Sequence, residues 1–363
     1  MSDSGPRYLQ IHKEILQKIH SREYTAGDLL PTEAALCEFY KTSRPTIAKA
    51  LKMLSDEKLV RRRAGFGTQV LPPRKNALLA GVLVPQLSKV EIFDPISKRI
   101  AERAGVEGMR VIIPSELEFT DDIKRRCDSM ADQLIQARVR GVFFAPVEHT
   151  EDQQAYNEEV IGRFTSEGIH VVLLDRDIYR WPRQTGLDLI GIDNIEAGYV
   201  VATHLLEQGC ERLVFVTRGN PAMTVQLRRM GCREALNQFG RQPNNLLTVN
   251  DSTENPGQVA EEIFKSGADG IICANDTTAG PILRRLLDLG ADIPGKVRIC
   301  GFDDVQHASL LGVPLTSYQQ PCDDIGRVAA ETMIHRIRHP DTPVHRISLQ
   351  GKLIIRESSS GRR

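Results

Sequence analysis

No run of about 18 apolar residues occurs anywhere in this 363-residue chain, which excludes a membrane-spanning helix of ordinary kind. The opening MSDSGPRYLQIHKEI also lacks the apolar stretch of a secretory signal, and a cytoplasmic protein is expected. Cysteine is present but unorganised. Cys37, Cys127, Cys210, Cys232, Cys273, Cys300 and Cys322 are odd in number, with no C-x-x-C and no histidine pair nearby, which favours buried reduced thiols over disulfides or zinc. There is no G-x-G-x-x-G after a strand, no G-x-x-x-x-G-K-[ST], no G-x-S-x-G and no H-E-x-x-H, so the common nucleotide, acyl-transfer and zinc-hydrolase signatures are all missing. His149, His170, His204, His307 and His335 stand isolated in sequence, as solvated or hydrogen-bonded core histidines do. Neither a metal nor a cofactor is expected.

Net charge is absent too, but only on average. Residues 1–75 hold 14 Lys+Arg against 8 Asp+Glu, and the remainder 33 against 39. A basic head on an acidic body points to a polyanionic partner for the head alone. In that head, Tyr8, Ile11, Ile15 and Ile19 recur at helical spacing, and Gly27 to Pro31 ends the pattern before a second helix starts near Thr32. A third follows from Ser43, a suitable N-cap, with Pro45 tolerated in the first turn. Ile47, Ala50, Leu51 and Leu54 form its apolar face, leaving Pro45, Ala48, Lys49 and Lys52 opposite. Val60–Arg63 and Thr68–Leu71 read as strands joined by Ala64-Gly65-Phe66-Gly67. Three short helices and a basic hairpin predict a winged helix-turn-helix for DNA. Ser43, Arg44 and Thr46 would meet bases or phosphates at the helix N-terminus, with Lys49 and Lys52 extending the contact. Gly65 and Gly67 would let the wing backbone approach, with Arg62 and its neighbours on phosphate or in the minor groove.

The segment LLPTEAALCEFYKTSRPTIAKALKMLSDEKLVRRRAGFGTQV resembles the DNA-binding domain of the GntR family, through Pro31, Glu33, Ser43, Arg44, Thr46, Leu51, Leu54, Gly65, Gly67 and Thr68. It departs at Ala34, often polar or basic in that family, and at Ala48-Lys49, where an arginine is usual. LPPRKN then interrupts every periodicity. The expected organisation is a head over residues 1–71, a linker over 72–77 and a body over 78–363.

In the body, LLAGVLVP, MRVIIP, GVFFAP, HVVLLDRD, LIGIDN, RLVFVTRG, GIICAND and VRICGFDD are apolar strand-like runs separated by amphipathic helices such as Ile195–Gln208 and Thr277–Leu289. An α/β body with parallel sheets flanked by helices follows. Ligands in such sheets sit beyond the carboxyl ends of strands, which here read Asp175-Arg176-Asp177, Asp193-Asn194, Thr217-Arg218, Asn275-Asp276 and Asp303-Asp304. Sugar hydroxyls donate and accept at once, so carboxylates beside guanidiniums and amides suit a polyhydroxyl ligand. Any one of these pairs can instead serve the fold. Asp193-Asn194 is as good a helix cap as a ligand contact, and a structural role fits Asp304 better.

From about residue 78 to 357 the chain resembles the effector domain of the LacI/GalR repressors. The matching segments are AGVLVPQLS, IGIDNIEAGYVVATHLLEQGCERLVFV, RRMGCREAL, CANDTTAGPILRRLLDLGADIPGKVRICGFDD and LTSYQQP. The resemblance implies a two-lobed, periplasmic-binding-protein-like fold with a sugar cleft. It implies effector contacts at Arg228, Asn275, Asp303 and Gln320, and less directly at Asp175, Arg176 and Phe93; Cys232 stands where that family tends to have an aromatic. A GntR head on a LacI-type body is the architecture of the arabinose-repressor type. That implies a homodimeric repressor on double-stranded operator DNA, released by a sugar inducer, with L-arabinose favoured. An α/β enzyme with a fused DNA-binding head is the competing reading, since doubly wound folds host many chemistries. An exported, transporter-linked binding protein is a third, and the basic head and missing signal argue against it.

Overall fold

The computed structural model describes residues 6–20, 23–56, 59–63, 66–71, 78–85, 92–115, 122–242, 246–251 and 256–360. Two compact units divide after Leu78. The expected linker, 72–77, lies outside the described residues.

The first unit is a winged helix. Helices α1 (Arg7–His20), α2 (Glu33–Phe39) and α3 (Arg44–Asp56) are followed by strands β1 (Val60–Arg63) and β2 (Gly67–Val70). The apolar stripes read from sequence face one another: Ile11 and Ile15 of α1 and Ile47, Ala50, Leu51 and Leu54 of α3 are buried together with Leu36, Val60 and Val70. The Thr32 hydroxyl accepts from the Ala35 N–H at 3.2 Å and caps α2. The wing is antiparallel, Arg62 opposite Thr68, and Leu29 bridges Gln69 on its far side. Gly67 turns with φ +103°, a conformation only glycine adopts without strain.

The second unit is two doubly wound lobes. Lobe 1 holds β3 (Leu79–Leu83), α4 (Phe93–Val106), β4 (Arg110–Ile112), α5 (Ile123–Gln136), β5 (Gly141–Phe144), α6 (Gln153–Ser166), β6 (His170–Leu174) and β7 (Asp188–Ile192). The chain then enters lobe 2 through α7 (Asn194–Glu207), β8 (Leu213–Arg218), α8 (Met223–Gln238), β9 (Leu247–Asp251), α9 (Pro256–Ser266), β10 (Gly270–Cys273), α10 (Asp276–Asp288), β11 (Arg298–Asp303) and β12 (Thr316–Gln319). It returns with α11 (Cys322–Arg338) and β13 (Arg346–Leu349) and ends in lobe 2 with β14 (Lys352–Ile354). Among the described residues each lobe has one six-stranded sheet, ordered β13-β7-β6-β5-β3-β4 and β14-β12-β11-β10-β8-β9. All pairings are parallel except β12 with β14. Strands buried on both faces read as the continuous apolar runs seen in the sequence, Gly141–Phe144 being buried at every position. Three crossings join the lobes, at Asp193, at Gln320-Pro321 and at Gln350-Gly351. Such multiple crossings form a hinge, and the cleft opens between the strand ends of the two sheets.

Helices α7 and α8 approach at Gly198 and Gly231. A Cβ at Gly198 would fall 1.9 Å from the Arg228 carbonyl oxygen, and one at Gly231 would fall 1.9 Å from that of Ile195. The close crossing sets the depth of Arg228. It also accounts for Cys232, whose thiol is buried against the Gly198 carbonyl at 3.3 Å, where the small side chain allows the backbones to touch.

Two histidines expected to stand alone do not. The His335 ring lies 5.0 Å from that of His339 and 5.6 Å from that of His345, because the loop after α11 folds back on the helix. His149 bonds to the loop after β8. His204 is the hydrogen-bonded core histidine the sequence suggests, with Nε2 2.7 Å from the Ser359 hydroxyl. Among the described residues no group of His, Cys, Asp or Glu is arranged to hold a metal ion, and no helix is long and apolar enough to cross a membrane.

Candidate functional site

In the head, the outer side of α3 presents Ser43, Arg44, Pro45, Lys49 and Lys52 to solvent. The Ser43 and Thr46 hydroxyls lie 2.9 Å apart, and the Ser43 carbonyl accepts from the N–H groups of Thr46 and Ile47. Hydroxyls and a guanidinium therefore cluster at the N-terminus of a helix, where the helix dipole favours an anion. Lys49 is already engaged, its Nζ 3.8 Å from the centre of the Tyr8 ring. Arg62 pairs with Glu33, which ties the start of α2 to the wing. Phosphate contact by either cation requires an exchange of partners, whereas Arg44, Lys52 and Arg61 are exposed. Gly65 lies outside the described residues.

The body cleft gathers the strand-end residues into two facing half-sites. On lobe 2, Arg228 of α8 donates from Nε to the Asn194 side-chain oxygen at 2.9 Å and from Nη1 to the Ala274 carbonyl at 2.7 Å. Its Nη2 lies 3.4 Å from Asp303 Oδ1, and its guanidinium stacks 4.5 Å from the centre of the Phe302 ring. Asp303 Oδ1 also accepts from Gln320 Nε2 at 2.8 Å. On lobe 1, Arg176 donates from Nε to the Pro146 carbonyl at 3.0 Å and from Nη1 to Asp175 Oδ2 at 3.1 Å. Its Nη2 is 3.4 Å from Glu148 Oε1, and its guanidinium lies 5.6 Å from the ring centre of buried Phe93. The structure thus brings Asp175, Arg176 and Phe93 together on lobe 1 and Arg228, Asp303 and Gln320 together on lobe 2. Asn275 is near them but turned to another use: its side-chain oxygen caps α10, accepting from the Thr278 N–H at 2.8 Å. Asp193 is likewise a cap for α7. Asp304 takes the structural role, paired with Arg356 at 2.6 Å and with Gln319 at 2.7 Å.

The half-sites act on one another electrically. Burial pushes the Asp175 carboxyl up, Arg176 and Arg228 oppose it, and Asp303 and Glu148 push it further. Glu148 is also pushed up by burial, but Arg176, His149, Arg218 and Arg228 together hold it below the ordinary carboxylate value. Charges from both lobes therefore meet. Asp175 Oδ1, Gln320 Oε1 and Arg218 Nε are buried with no hydrogen-bond partner among the described residues. Two acceptors and a donor left open in a charge-lined cleft match a ligand whose groups both donate and accept. Asp175 and Asp303 hold left-handed backbone, φ +68° and +99°, of the kind that persists where surrounding structure over-determines it. Asp276 is a different case. It is fully buried, bonded to the Ser317 hydroxyl and the Val305 N–H, and serves the sheet.

Sequence reasoning missed Asn194 as the partner of Arg228, Phe302 beneath it, and Glu148. Glu148 was within reach: it follows β5, whose carboxyl end obeys the same rule as the other strands. A shallow, open pocket is lined by Glu148, Arg176 and Tyr179 of lobe 1 and by Met223 and Gln226 of lobe 2.

The fold and the two family matches define a DNA-binding transcription regulator with a periplasmic-binding-protein-like effector domain. Residues 7–70 match the gntR family of bacterial regulatory proteins, and residues 202–359 match the periplasmic binding protein-like domain, so the chain is a GntR-type head on a LacI-type body. It is similar from end to end to an arabinose metabolism transcriptional repressor of Geobacillus stearothermophilus, 24% identical over 98% of both chains. A ribose operon repressor of Escherichia coli K12 is 26% identical over 66% of this chain and 71% of that one. Among solved structures, the transcription regulator CcpA of Lactococcus lactis superposes with a TM-score of 0.67 at 19% identity, covering 78% of this chain and all of that one. A LacI family regulator of Enterococcus faecium with bound ribose superposes at 0.63 and 22% identity, with the same coverage.

Proposed function

We propose that this protein is a cytoplasmic, homodimeric repressor that holds operator DNA through its winged heads and releases it when a sugar enters the body cleft, with L-arabinose the first candidate. The observation that carries the reading is the pair of facing half-sites, Asp175–Arg176–Glu148 and Arg228–Asp303–Gln320, with open acceptors at Asp175 and Gln320. A vicinal diol satisfies a carboxylate and a guanidinium together, and does so best when both lobes close on it. Closure is then the state the ligand favours, and a head arrangement compatible with DNA is the state it disfavours. Likeness to the Geobacillus arabinose repressor over the whole chain supports arabinose, and the bound ribose of the Enterococcus regulator supports a pentose more broadly.

Thermal denaturation against L-arabinose, D-ribose, D-xylose, hexoses and their phosphates tests this, because a ligand bound only to the folded state raises its melting temperature. The sugar that shifts melting should also lower the fluorescence anisotropy of labelled operator DNA bound to the protein. A sugar that stabilises the protein yet leaves DNA binding unchanged would overturn the coupling.

A further inference from the structure

The lobes touch through His149 after β5, a strand separated by β6 from the crossing strand β7, and through the loop after β8, which β11 and β10 separate from β12. This residue follows β5 in lobe 1 and holds left-handed backbone, φ +65°. Its backbone N–H donates to the Asn220 carbonyl at 3.2 Å, and its ring Nδ1 lies 3.1 Å from the Gly219 carbonyl. A carbonyl oxygen only accepts, so Nδ1 carries a proton in this contact. Gly219 and Asn220 follow β8 in lobe 2, and Asn220 is itself left-handed, φ +45°. Nearby, the Trp181 N–H of lobe 1 points at the Met223 sulfur of lobe 2, 3.4 Å away. The other ring nitrogen of His149, Nε2, faces Glu148 at 3.7 Å, and Glu148 pairs with Arg176. One ring thus touches the far lobe on one edge and the lobe 1 half-site on the other.

We propose that His149 is a positioning residue for effector binding: it clasps the two lobes away from their crossings and so holds the Asp175–Arg176 half-site against the Arg228–Asp303 half-site. The proposal rests on the sugar reading of the cleft, since the ligand's share of closure is what the clasp assists. A hinge rotates about its crossings, and a contact set away from them resists opening with a leverage that grows with that separation. A clasp that is satisfied before the ligand arrives raises the fraction of molecules already closed, and apparent affinity rises in proportion to that fraction.

His149→Asn and His149→Asp test it as a pair. Both residues tolerate left-handed backbone, and both put their terminal atoms where the imidazole Nδ1 stands. Asn can donate to Gly219; Asp turns an anionic oxygen toward a carbonyl. His149→Gly is a third variant, accepting the same φ without a ring. Trp181 is the chain's one tryptophan; it is 56% exposed and its backbone N–H meets Met223 across the clasp, so an increase in acrylamide quenching above the wild-type level reads loss of the shielding that lobe 2 still gives it. In the full-length protein without sugar, the Asp and Gly variants should be quenched more strongly than wild type, and the Asn variant should match it. In titrations with L-arabinose and D-ribose, Asp and Gly should raise the half-saturating concentration about tenfold through faster release, and Asn should stay within about twofold. Equal quenching of all four proteins overturns the clasp, as does an Asn variant that behaves like Asp. If wild type ignores every sugar while Asp and Gly still open, the clasp stands and the sugar reading falls.

Discussion

Removing the charge of Asp303 while keeping its shape is the sharpest test of the cleft. Asp303 is nearly buried, accepts from Gln320 at 2.8 Å and faces Arg228 at 3.4 Å. Truncation to Ala is a poor choice, because φ is +99° and a residue with Cβ but no polar tip carries a strain of about 1–3 kcal/mol there. Asn keeps the Oδ1 acceptor and tolerates the backbone. Breaking a buried pair by deleting one partner costs about 3–5 kcal/mol. Here the cost is smaller, since the pair is long and Arg228 retains Asn194 and the Ala274 carbonyl. A loss of about 1–2 kcal/mol in stability is expected, the difference between a charged and a neutral acceptor. The same difference recurs for each ligand hydroxyl that the carboxylate would receive. At about 1.4 kcal/mol per tenfold, one or two hydroxyls predict an effector affinity weakened roughly 10- to 100-fold. The assay is the sugar titration of operator release, with circular dichroism and melting to confirm folding. Asp303→Asn should bind operator like wild type in the absence of sugar. A folded variant that releases DNA at the wild-type sugar concentration would refute Asp303 as a ligand contact.

The other expectations are simpler. Arg44→Ala should weaken operator binding by about 1–3 kcal/mol if the guanidinium meets a base edge, with the sugar-induced melting shift unchanged, as anisotropy and calorimetry would read. Gly231→Ala should destabilise the body by about 1–3 kcal/mol in urea unfolding, because the new methyl would meet the Ile195 carbonyl at 1.9 Å and the Tyr199 nitrogen at 2.7 Å; a smaller effect would mean that α7 and α8 separate easily. Burial raises the folded value of Asp175 above its unfolded value, so its contribution to stability is full in acid and lost as pH rises through the folded value. The melting temperature of Asp175→Asn relative to wild type should therefore climb as pH rises above the ordinary carboxylate range of about 4, and a difference that is flat or falls with pH would contradict the burial.

The order of elements in the head and the parallel strands of the body were legible because both are local. Apolar spacing at Ile11 and Ile15, or at Ile47, Leu51 and Leu54, reports one buried helix face, and GVFFAP or HVVLLDRD reports a strand covered twice. The carboxyl-end rule points to the strand ends carrying Asp175, Arg176, Asn275 and Asp303, of which Asn275 spends its side-chain oxygen capping α10. Strands whose apolar runs are broken by polar residues were not legible. In β9, β12, β13 and β14, polar residues such as Thr248, Asn250, Ser317, Gln319, Arg346, Ser348 and Lys352 interrupt the apolar run that marks the other strands, including the equally short β4, β5 and β10. Only tertiary structure decided the partners, because partner choice depends on where the chain crosses between lobes. Asn194 meets Arg228 across 34 residues through the α7–α8 crossing at Gly198 and Gly231, and Asp303 meets it across 75 from the end of β11. The same holds for Lys49 on Tyr8, Arg62 on Glu33, and His149 on the far lobe. Residue type announced which groups need a partner; the topology of the crossings chose it.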